Sequence, residues 1–316
     1  MKNTVKRILC AAITMFLIAA SLSGCFVPAT DPTDTKKIDN GTANAEGTNN
    51  GTGGTPSGET TVDAGKSASQ VTISEQVLVD RDGIKITAKS LSSDSIFGDG
   101  LKVLVENDST KDVNISCERL IINDYMISDM FSASVAAGKK ANETVYFSGT
   151  DLNDSGIKTI EQIELAFNIF DSKSFQTVFK TDVSTIKTSA FSGQAFPKAD
   201  EGKELVNRDG VRIVGKYIKN DALMGKEIIL YIENNTDKDI VVNCDDISIN
   251  GFMMTALYSQ DVCVGKRAVD GITILTSDLE KNSITDIKNV ELKFKVLSKA
   301  SFKELFTTDA IAFSAS

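Results

Sequence analysis

Few residue types in this chain could carry catalytic or metal chemistry. Histidine and tryptophan are both absent from its 316 residues. The sequence therefore lacks the usual general base near neutral pH, the commonest metal ligand and a frequent aromatic anchor. It also contains no calcium-binding loop, phosphate-binding glycine motif or nucleophile elbow. We predict that the protein is not an enzyme and that it holds no metal and no catalytic cofactor.

Cysteine is the remaining reactive residue type, at positions Cys10, Cys25, Cys117, Cys244 and Cys263. Cys117 and Cys244 fall on the apolar phase of alternating segments, which favours small core residues over redox or metal roles. Three cysteines follow position 25, and an odd number cannot all pair within one chain. A bridge between Cys244 and Cys263 stays open at this point.

Residues 1–24 have the order of an export signal. Lys2, Lys6 and Arg7 make the start basic, and an apolar run of about a dozen residues follows, over 8–20. This run is too short to span a bilayer comfortably. The sequence therefore predicts a cleaved secretory signal.

The end of this signal reads Leu22-Ser23-Gly24-Cys25, which resembles the lipobox of bacterial lipoproteins. The resemblance implies that the thiol of Cys25 receives a diacylglyceryl group and that cleavage occurs before this residue. Two acyl chains would anchor the protein stably, because each buried methylene contributes about 0.8 kcal/mol. The expected location is the extracytoplasmic face of the cell membrane, with the covalent lipid on Cys25 as the only added group.

Residues 25–75 are dominated by Thr, Gly, Asn, Asp, Ser and Ala and show no apolar period. Such a segment cannot bury enough surface to offset the entropy lost on ordering. We predict a flexible tether between the lipid and the folded part.

The rest of the chain is a duplication. Shifting the sequence by 127 positions aligns residues 77–189 with 204–316 without a gap, and about a third of the aligned positions are identical. The predicted domains are copy 1 at 76–189, a connector at 190–203 and copy 2 at 204–316. Identical pairs include Arg81-Asp-Gly83 with Arg208-Asp-Gly210, Cys117 with Cys244, Asn123 with Asn250, and Gly138-Lys139 with Gly265-Lys266.

Within each copy the apolar residues alternate, as in Ile84 and Ile86 or in Val113, Ile115 and Cys117, which predicts half-buried strands. Turn signals separate these strands: Asp82-Gly83, Asn107-Asp108, Asn123-Asp124 and Asn250-Gly251. A short helical turn is expected at 151–157 and at 278–284, capped by Thr150 and Ser277. About seven strands in about 110 residues predict an all-β fold of two tandem immunoglobulin-like β-sandwich domains.

Soft motifs recur in both copies: Glu-Asn-Asp-Ser at 106–109 and Glu-Asn-Asn-Thr at 233–236, Asn-Asp-Tyr-Met at 123–126 and Asn-Gly-Phe-Met at 250–253, and the Gly-Lys pairs. They resemble the repeated domains of uncharacterised lipoproteins from Gram-positive anaerobes and, more distantly, telokin-like extracellular domains. This resemblance implies a fold and an extracytoplasmic location but no activity.

One segment in each copy is rich in methionine and aromatic residues, over 124–131 and 251–258. Such side chains are enriched at recognition surfaces, and they also fill irregular gaps in a core. Both interpretations stay open. The candidate partner-binding residues are Tyr125, Met126, Met130, Phe252, Met253 and Met254.

A formal net charge of -9 argues against nucleic acid as a partner, because phosphate binding requires an excess of Lys and Arg. The preferred prediction is a membrane-anchored binding or adhesion module for a protein or a glycan. The alternative is a structural or accessory lipoprotein of the cell envelope without a small-molecule ligand. The fold alone does not decide between them, since one scaffold hosts many functions.

Overall fold

The structure is a computed structural model that describes residues 71–221 and 225–314. All of these residues belong to one compact unit. The predicted signal at 1–24, the lipidation site Cys25 and the predicted tether up to residue 70 lie outside the described residues. In the described part of the chain, no helix is both long enough and apolar enough to cross a membrane.

Copy 1 is built almost entirely of antiparallel strands. They are β1 (Gln76–Arg81), β2 (Ile84–Asp94), β3 (Gly98–Asn107), β4 (Val113–Ile122), β5 (Tyr125–Met126), β6 (Asp129–Met130), β7 (Ser132–Val135), β8 (Lys139–Phe147), β9 (Gln162–Asp171), β10 (Thr177–Lys180) and β11 (Ser184–Lys187), with a short helix α1 (Gly149–Asp154) after β8. One sheet has the order β1-β2-β3-β8-β6, and the opposing sheet is centred on β4 and β9.

Copy 2 repeats this order. Its strands are β12 (Lys203–Arg208), β13 (Val211–Asp221), β14 (Gly225–Asn234), β15 (Ile240–Ile249), β16 (Phe252–Met253), β17 (Ala256–Leu257), β18 (Ser259–Val262), β19 (Arg267–Leu275), β20 (Asn289–Ser298), β21 (Glu304–Thr307) and β22 (Ile311–Ser314), with helix α2 (Thr276–Lys281) after β19. One sheet contains β12, β13, β14 and β19, and the other is centred on β15 and β20.

The turns predicted at Asp82-Gly83 and Asn250-Gly251 are confirmed as two-residue turns, whereas Asn107-Asp108 opens a longer loop between β3 and β4. Asp82 and Gly83 have φ angles of 53° and 79°, and Asn250 and Gly251 have 51° and 87°. Positive φ at both central positions is the signature of the turn that matches the twist of a β-hairpin, and Asn, Asp and Gly adopt it most readily. These short sequences therefore fix the strand register on either side.

The predicted helix caps are wrong. Helix α1 begins at Gly149, and the hydroxyl of Ser148 accepts the hydrogen bond from the Asp151 N–H. Thr150 lies inside this helix. In copy 2 the residue before α2 is Leu275, which makes no side-chain cap. Ser277 is therefore not the cap either.

Apolar side chains from the two sheets of each copy meet in a buried core. In copy 1, Ile86 and Val105 of one sheet and Ile115 and Phe167 of the other are almost completely inaccessible to solvent. Strand alternation puts these residues on the inner faces and leaves the intervening positions for the outer faces. The prediction of an all-β fold with β-sandwich packing is confirmed.

The two copies are joined by a sheet that runs through both. Its central path is β10-β9-β4-β5-β19-β14-β13-β12. Strand β5 pairs with β19 in parallel at Tyr125 and Arg267, and the Arg267 N–H donates to the Asp124 carbonyl over 2.9 Å. The independent folding of the two copies stays a prediction, because they share this junction.

Candidate functional site

The six candidate partner-binding residues have very different environments. The exposed fractions are 1% for Tyr125, 9% for Met254, 49% for Phe252, 60% for Met130 and 65% for Met253, and Met126 is half-buried. Tyr125 and Phe252 occupy equivalent positions, as do Met126 and Met253. In both pairs the copy 1 residue is covered and the copy 2 residue is exposed.

Copy 2 is what covers Tyr125. The ring of Tyr231 meets the ring of Tyr125 edge to face, with the centroids 6.5 Å apart. The connector completes the enclosure: the Tyr125 hydroxyl donates to the Pro197 carbonyl over 3.0 Å and accepts from the Ala199 N–H over 2.7 Å. Burial raises the pKa of Tyr125, against the opposing effect of the Ala199 hydrogen bond. Tyr125 therefore holds the two copies and their connector together.

The copy 2 surface at this junction is an apolar outer sheet face. Its residues Val214, Ile229, Tyr231 and Val269 are buried and belong to the same hydrophobic cluster as the core of copy 1. Burying an outer face requires strands that are apolar on both sides, and 228–232 is accordingly a continuous run of buried residues.

The equivalent outer face of copy 1 has a different character. It carries Thr87, Lys102, Leu104 and Asn142 at the aligned positions; Lys102 and Asn142 are exposed, Leu104 is half-buried and Thr87 is buried. An uncovered sheet face with polar residues at alternate positions is ordinary for an antiparallel sheet. Only copy 2 therefore has an outer face suited to being covered.

Ion pairs surround the apolar contact. The Lys266 Nζ lies 2.7 Å from the Asp124 Oδ1 and 2.6 Å from the Glu164 Oε1. Burial lowers the pKa of Lys266, but the hydrogen bonds to Asp124 and Glu164 outweigh it and hold the pKa above its usual value.

Two further ion pairs cross the junction. The Arg119 Nη2 lies 2.8 Å from the Asp239 Oδ2. The Lys219 Nζ lies 2.6 Å from the Asp154 Oδ2. Such partly buried ion pairs contribute more to the specific placement of two surfaces than to the free energy that holds them together.

A groove beside Tyr125 receives the connector. This connector groove, of about 240 Å³, is lined by Asn123, Tyr125, residues 155–159 and Glu161, and on the connector side by Phe196 and Pro197. Phe196 is almost fully buried there. The connector is thus packed against copy 1 over part of its length.

Copy 2 has the same groove at the aligned positions. Asn250, Phe252, residues 282–286 and Lys288 line it together with Asn289, and its volume is about 370 Å³. We call it the distal groove. All of its described lining residues belong to copy 2, and none belongs to the connector.

An identical asparagine shapes both grooves. The Asn123 Oδ1 accepts from the N–H groups of Glu161 and Gln162, and the Asn250 Oδ1 accepts from those of Lys288 and Asn289. Each asparagine also donates from Nδ2 to a carbonyl of the groove loop. The distal groove is therefore preformed.

The sequence interpretation missed both grooves and the connector contact. The identity of Asn123 and Asn250 was visible, but hydrogen bonds to a loop about 38 positions away were not. The continuous apolar run at 228–232, against the alternation in copy 1, was the available signal for a covered outer face.

Two exposed phenylalanines were also missed. Phe175 and Phe302 occupy equivalent hairpin tips, with exposed fractions of 66% and 70% and φ angles of 56° and 52°. A bulky side chain at positive φ is uncommon and costs conformational energy. The repeated Ser-Phe dipeptide, at Ser174 and Ser301, was the signal for this shared geometry.

The three described cysteines are not bonded to one another. Cys117 and Cys244 are half-buried, Cys263 is buried, and all three are free, so the bridge between Cys244 and Cys263 that the sequence left open is not formed. Among residues 71–221 and 225–314, no group of three or more Cys, Asp or Glu side chains is arranged to hold a metal ion.

Comparisons with known proteins add little on function. No protein-family model and no curated protein matches the chain. A Salmonella enterica SafA pilin in complex with the SafB chaperone is similar over 68% of this chain and 88% of that chain, at 12% identity and a TM-score of 0.20. A protein of unknown function from Porphyromonas gingivalis W83 is similar over 69% and 89%, at 6% identity and a TM-score of 0.18. At these identities and TM-scores, neither neighbour bears on what this chain binds.

Proposed function

We propose that this protein is a lipid-anchored, extracytoplasmic binding module that presents a recognition surface on copy 2. The lipid on Cys25 would hold the chain at the membrane, and the segment predicted as a tether would separate the folded part from it. The predicted end of this tether at residue 75 is too late, because Thr72 hydrogen-bonds Ser189 and Ile73 packs against the core of copy 1. The surface consists of the distal groove with Phe252 and Met253, and we call it the distal surface.

This proposal rests on the different burial of equivalent residues in the two copies. Tyr125 and Met126 in copy 1 pack against copy 2, whereas Phe252 and Met253 in copy 2 are 49% and 65% exposed. Large apolar side chains exposed together beside a preformed groove are typical of interaction sites. The alternative of a purely structural lipoprotein has no comparable observation in its favour.

Site-specific photocrosslinking on intact cells tests the proposal. A photoreactive amino acid at position 253 is expected to yield a discrete crosslinked species, identified by mass spectrometry. The same amino acid at position 102, on the exposed polar outer face of copy 1, is the matched control. Equal or absent crosslinking at the two positions would contradict a binding role for the distal surface.

A further inference from the structure

The distal surface repeats the surface by which copy 1 holds copy 2. Copy 1 contributes three elements to that contact: the groove bordered by Phe196 and Pro197, the two-residue strand β5, and the side chains of Tyr125 and Met126. Copy 2 has an equivalent for each of them, namely the distal groove, the strand β16, and the side chains of Phe252 and Met253.

The occupant that fits such a surface can be read from the contact already formed in this chain. Copy 1 receives an extended segment with a Phe-Pro pair, an apolar outer sheet face, and the edge of β19. The Arg267 guanidinium also donates to the carbonyls of Phe196 and Pro197, which links the extended segment to the sheet edge.

We propose that the distal surface binds a β-sandwich domain of another polypeptide, in the geometry in which copy 1 binds copy 2. The partner domain has an apolar outer sheet face and is preceded by an extended segment containing an aromatic residue and proline. This inference rests on the proposed function and names the class of partner.

The charges on copy 2 further define the partner. At the position of Asp154 copy 2 has Lys281, and at the position of Arg119 it has Asp246. Both are exposed. In the partner domain, the position aligned with Lys219 is therefore expected to carry an acidic residue that faces Lys281. The position aligned with Asp239 is expected to carry a basic residue that faces Asp246.

A second copy of this chain does not meet these requirements. The outer face of its copy 2 is already covered, and that of its copy 1 is polar, with Lys102 and Asn142 exposed. At the two charge positions its copy 1 offers Ser92 and Asp112, which provide neither the acidic nor the basic group. The natural chain is therefore expected to be monomeric through this surface.

A graft of the apolar face and of the acidic group onto copy 1 tests these two parts of the contact. The exported chain with Cys25→Ser would carry Lys102→Ile, Leu104→Tyr and Asn142→Val, the residues of copy 2, together with Ser92→Glu. We expect concentration-dependent head-to-tail association by sedimentation velocity, because a heterologous contact that does not close continues from molecule to molecule. The chain without the graft stays monomeric.

The control for nonspecific association changes the distal surface instead. Adding Phe252→Asp and Met253→Lys to the graft is expected to weaken association by about tenfold or more, since both side chains would lie in the contact. A grafted chain that stays folded and monomeric would overturn the inference. Association that persists in the presence of the two blocking changes would also overturn it.

A peptide measurement decides the outcome if the grafted chain does not fold. The synthetic peptide of residues 192–200 is titrated into the ungrafted chain at up to about millimolar concentration. In NMR spectra we expect saturable changes in the backbone amide chemical shifts of Phe252, Thr285 and Lys288. A peptide in which Phe196 and Pro197 are replaced by glycine and serine should cause none. The absence of such shifts, or equal shifts with both peptides, would contradict the proposal.

The crosslinking at Met253 separates failure of this inference from failure of the proposed function. If a glycan or a helical protein is crosslinked at that position, the proposed binding role stands and the proposed class of partner is wrong. A β-sandwich partner whose binding is lost with Phe252→Asp would support both.

Discussion

Tyr125 and Tyr231 meet edge to face across the boundary between the two copies, with their ring centroids 6.5 Å apart. Both rings are almost completely buried. The contact joins the outer face of one sandwich to the edge of the other. Loss of this contact should therefore lower the stability of the whole described unit.

Tyr231→Ala should destabilise the folded chain by about 3 to 5 kcal/mol, as for other buried aromatic residues. The matched control is Leu104→Ala at the equivalent position of copy 1, where the sheet face is not covered and the cost should be clearly smaller. Chemical denaturation of both variants measures the difference. Equal losses of stability in the two variants would mean that covering this sheet face does not itself stabilise the chain.

Cys25→Ser should release the protein from the membrane fraction and abolish incorporation of a labelled fatty acid. The reason is that the substitution removes the thiol that the lipobox resemblance assigns as the lipid acceptor. Cys10→Ser, inside the predicted signal, is the control and should leave labelling intact. Labelling that survives Cys25→Ser would refute the lipoprotein assignment.

Asp270→Asn should stabilise the protein at neutral pH. Asp270 lines a cavity of about 90 Å³ between the copies, with Asp151 and Met126 opposite. Burial, and then the nearby charges of Asp151 and Glu227, raise its pKa to about 6. Between the ordinary carboxyl pKa and about 6, the folded state therefore keeps a proton on Asp270 that the unfolded state has released. The free energy of unfolding is highest below this range and falls as the pH rises through it.

The expected gain for Asp270→Asn at pH 7 is about 1 to 2 kcal/mol, reduced from the full effect of the shift because the side chain is only half-buried. The variant should also show a flatter dependence of stability on pH between the ordinary carboxyl pKa and about 6. Urea unfolding at pH 4 and pH 7 measures both effects. The exposed Asp80→Asn serves as control, and a wild-type pH dependence in Asp270→Asn would contradict the assignment.

Met253 and Met254 are neighbours with opposite environments, exposed by 65% and 9% respectively. Met254→Ala should cost about 2 to 5 kcal/mol, because it leaves a cavity in the core of copy 2. Met253→Ala should change stability by less than about 0.5 kcal/mol. Thermal unfolding of the two variants provides the comparison, and a large loss for Met253→Ala would assign that side chain to packing.

Separate expression of the copies should give unequal fragments. We predict that each copy folds by itself, since each has its own full set of strands. Fragment 71–189 should stay monomeric, whereas fragment 204–314 should self-associate, because Val214, Ile229 and Tyr231 lose their cover. Sedimentation equilibrium distinguishes the two, and failure of either fragment to unfold cooperatively would show that the copies share one core.

The sequence predicted the features that depend on local chemistry. Asp82-Gly83 and Asn250-Gly251 form the expected turns because their backbone preference does not depend on the rest of the fold. Alternation identified strands such as β4 for a similar reason. The cap prediction failed in copy 1 because Ser148 lies only two residues from Thr150, and either hydroxyl could serve from sequence alone; in copy 2 the helix follows Leu275 and has no side-chain cap.

The candidate site was less predictable because it depends on how the copies meet. Tyr125 and Phe252 occupy aligned positions between an identical asparagine and an identical methionine, yet one is buried and the other half exposed. The difference arises from Tyr231 and from the connector, which lie 106 and about 72 positions away from Tyr125. No periodicity within the segment contains that information.

The free thiols have a practical consequence if the chain is exported as proposed. Burial raises the pKa of Cys263 to about 11 and that of Cys244 to about 12, and it also raises that of Cys117. At neutral pH only about one thiol in ten thousand or fewer is then in the reactive thiolate form. A low thiolate content slows oxidation and thiol exchange in the folded chain, so the three thiols are expected to react faster when one of the sandwiches opens and can serve as chemical reporters of that opening.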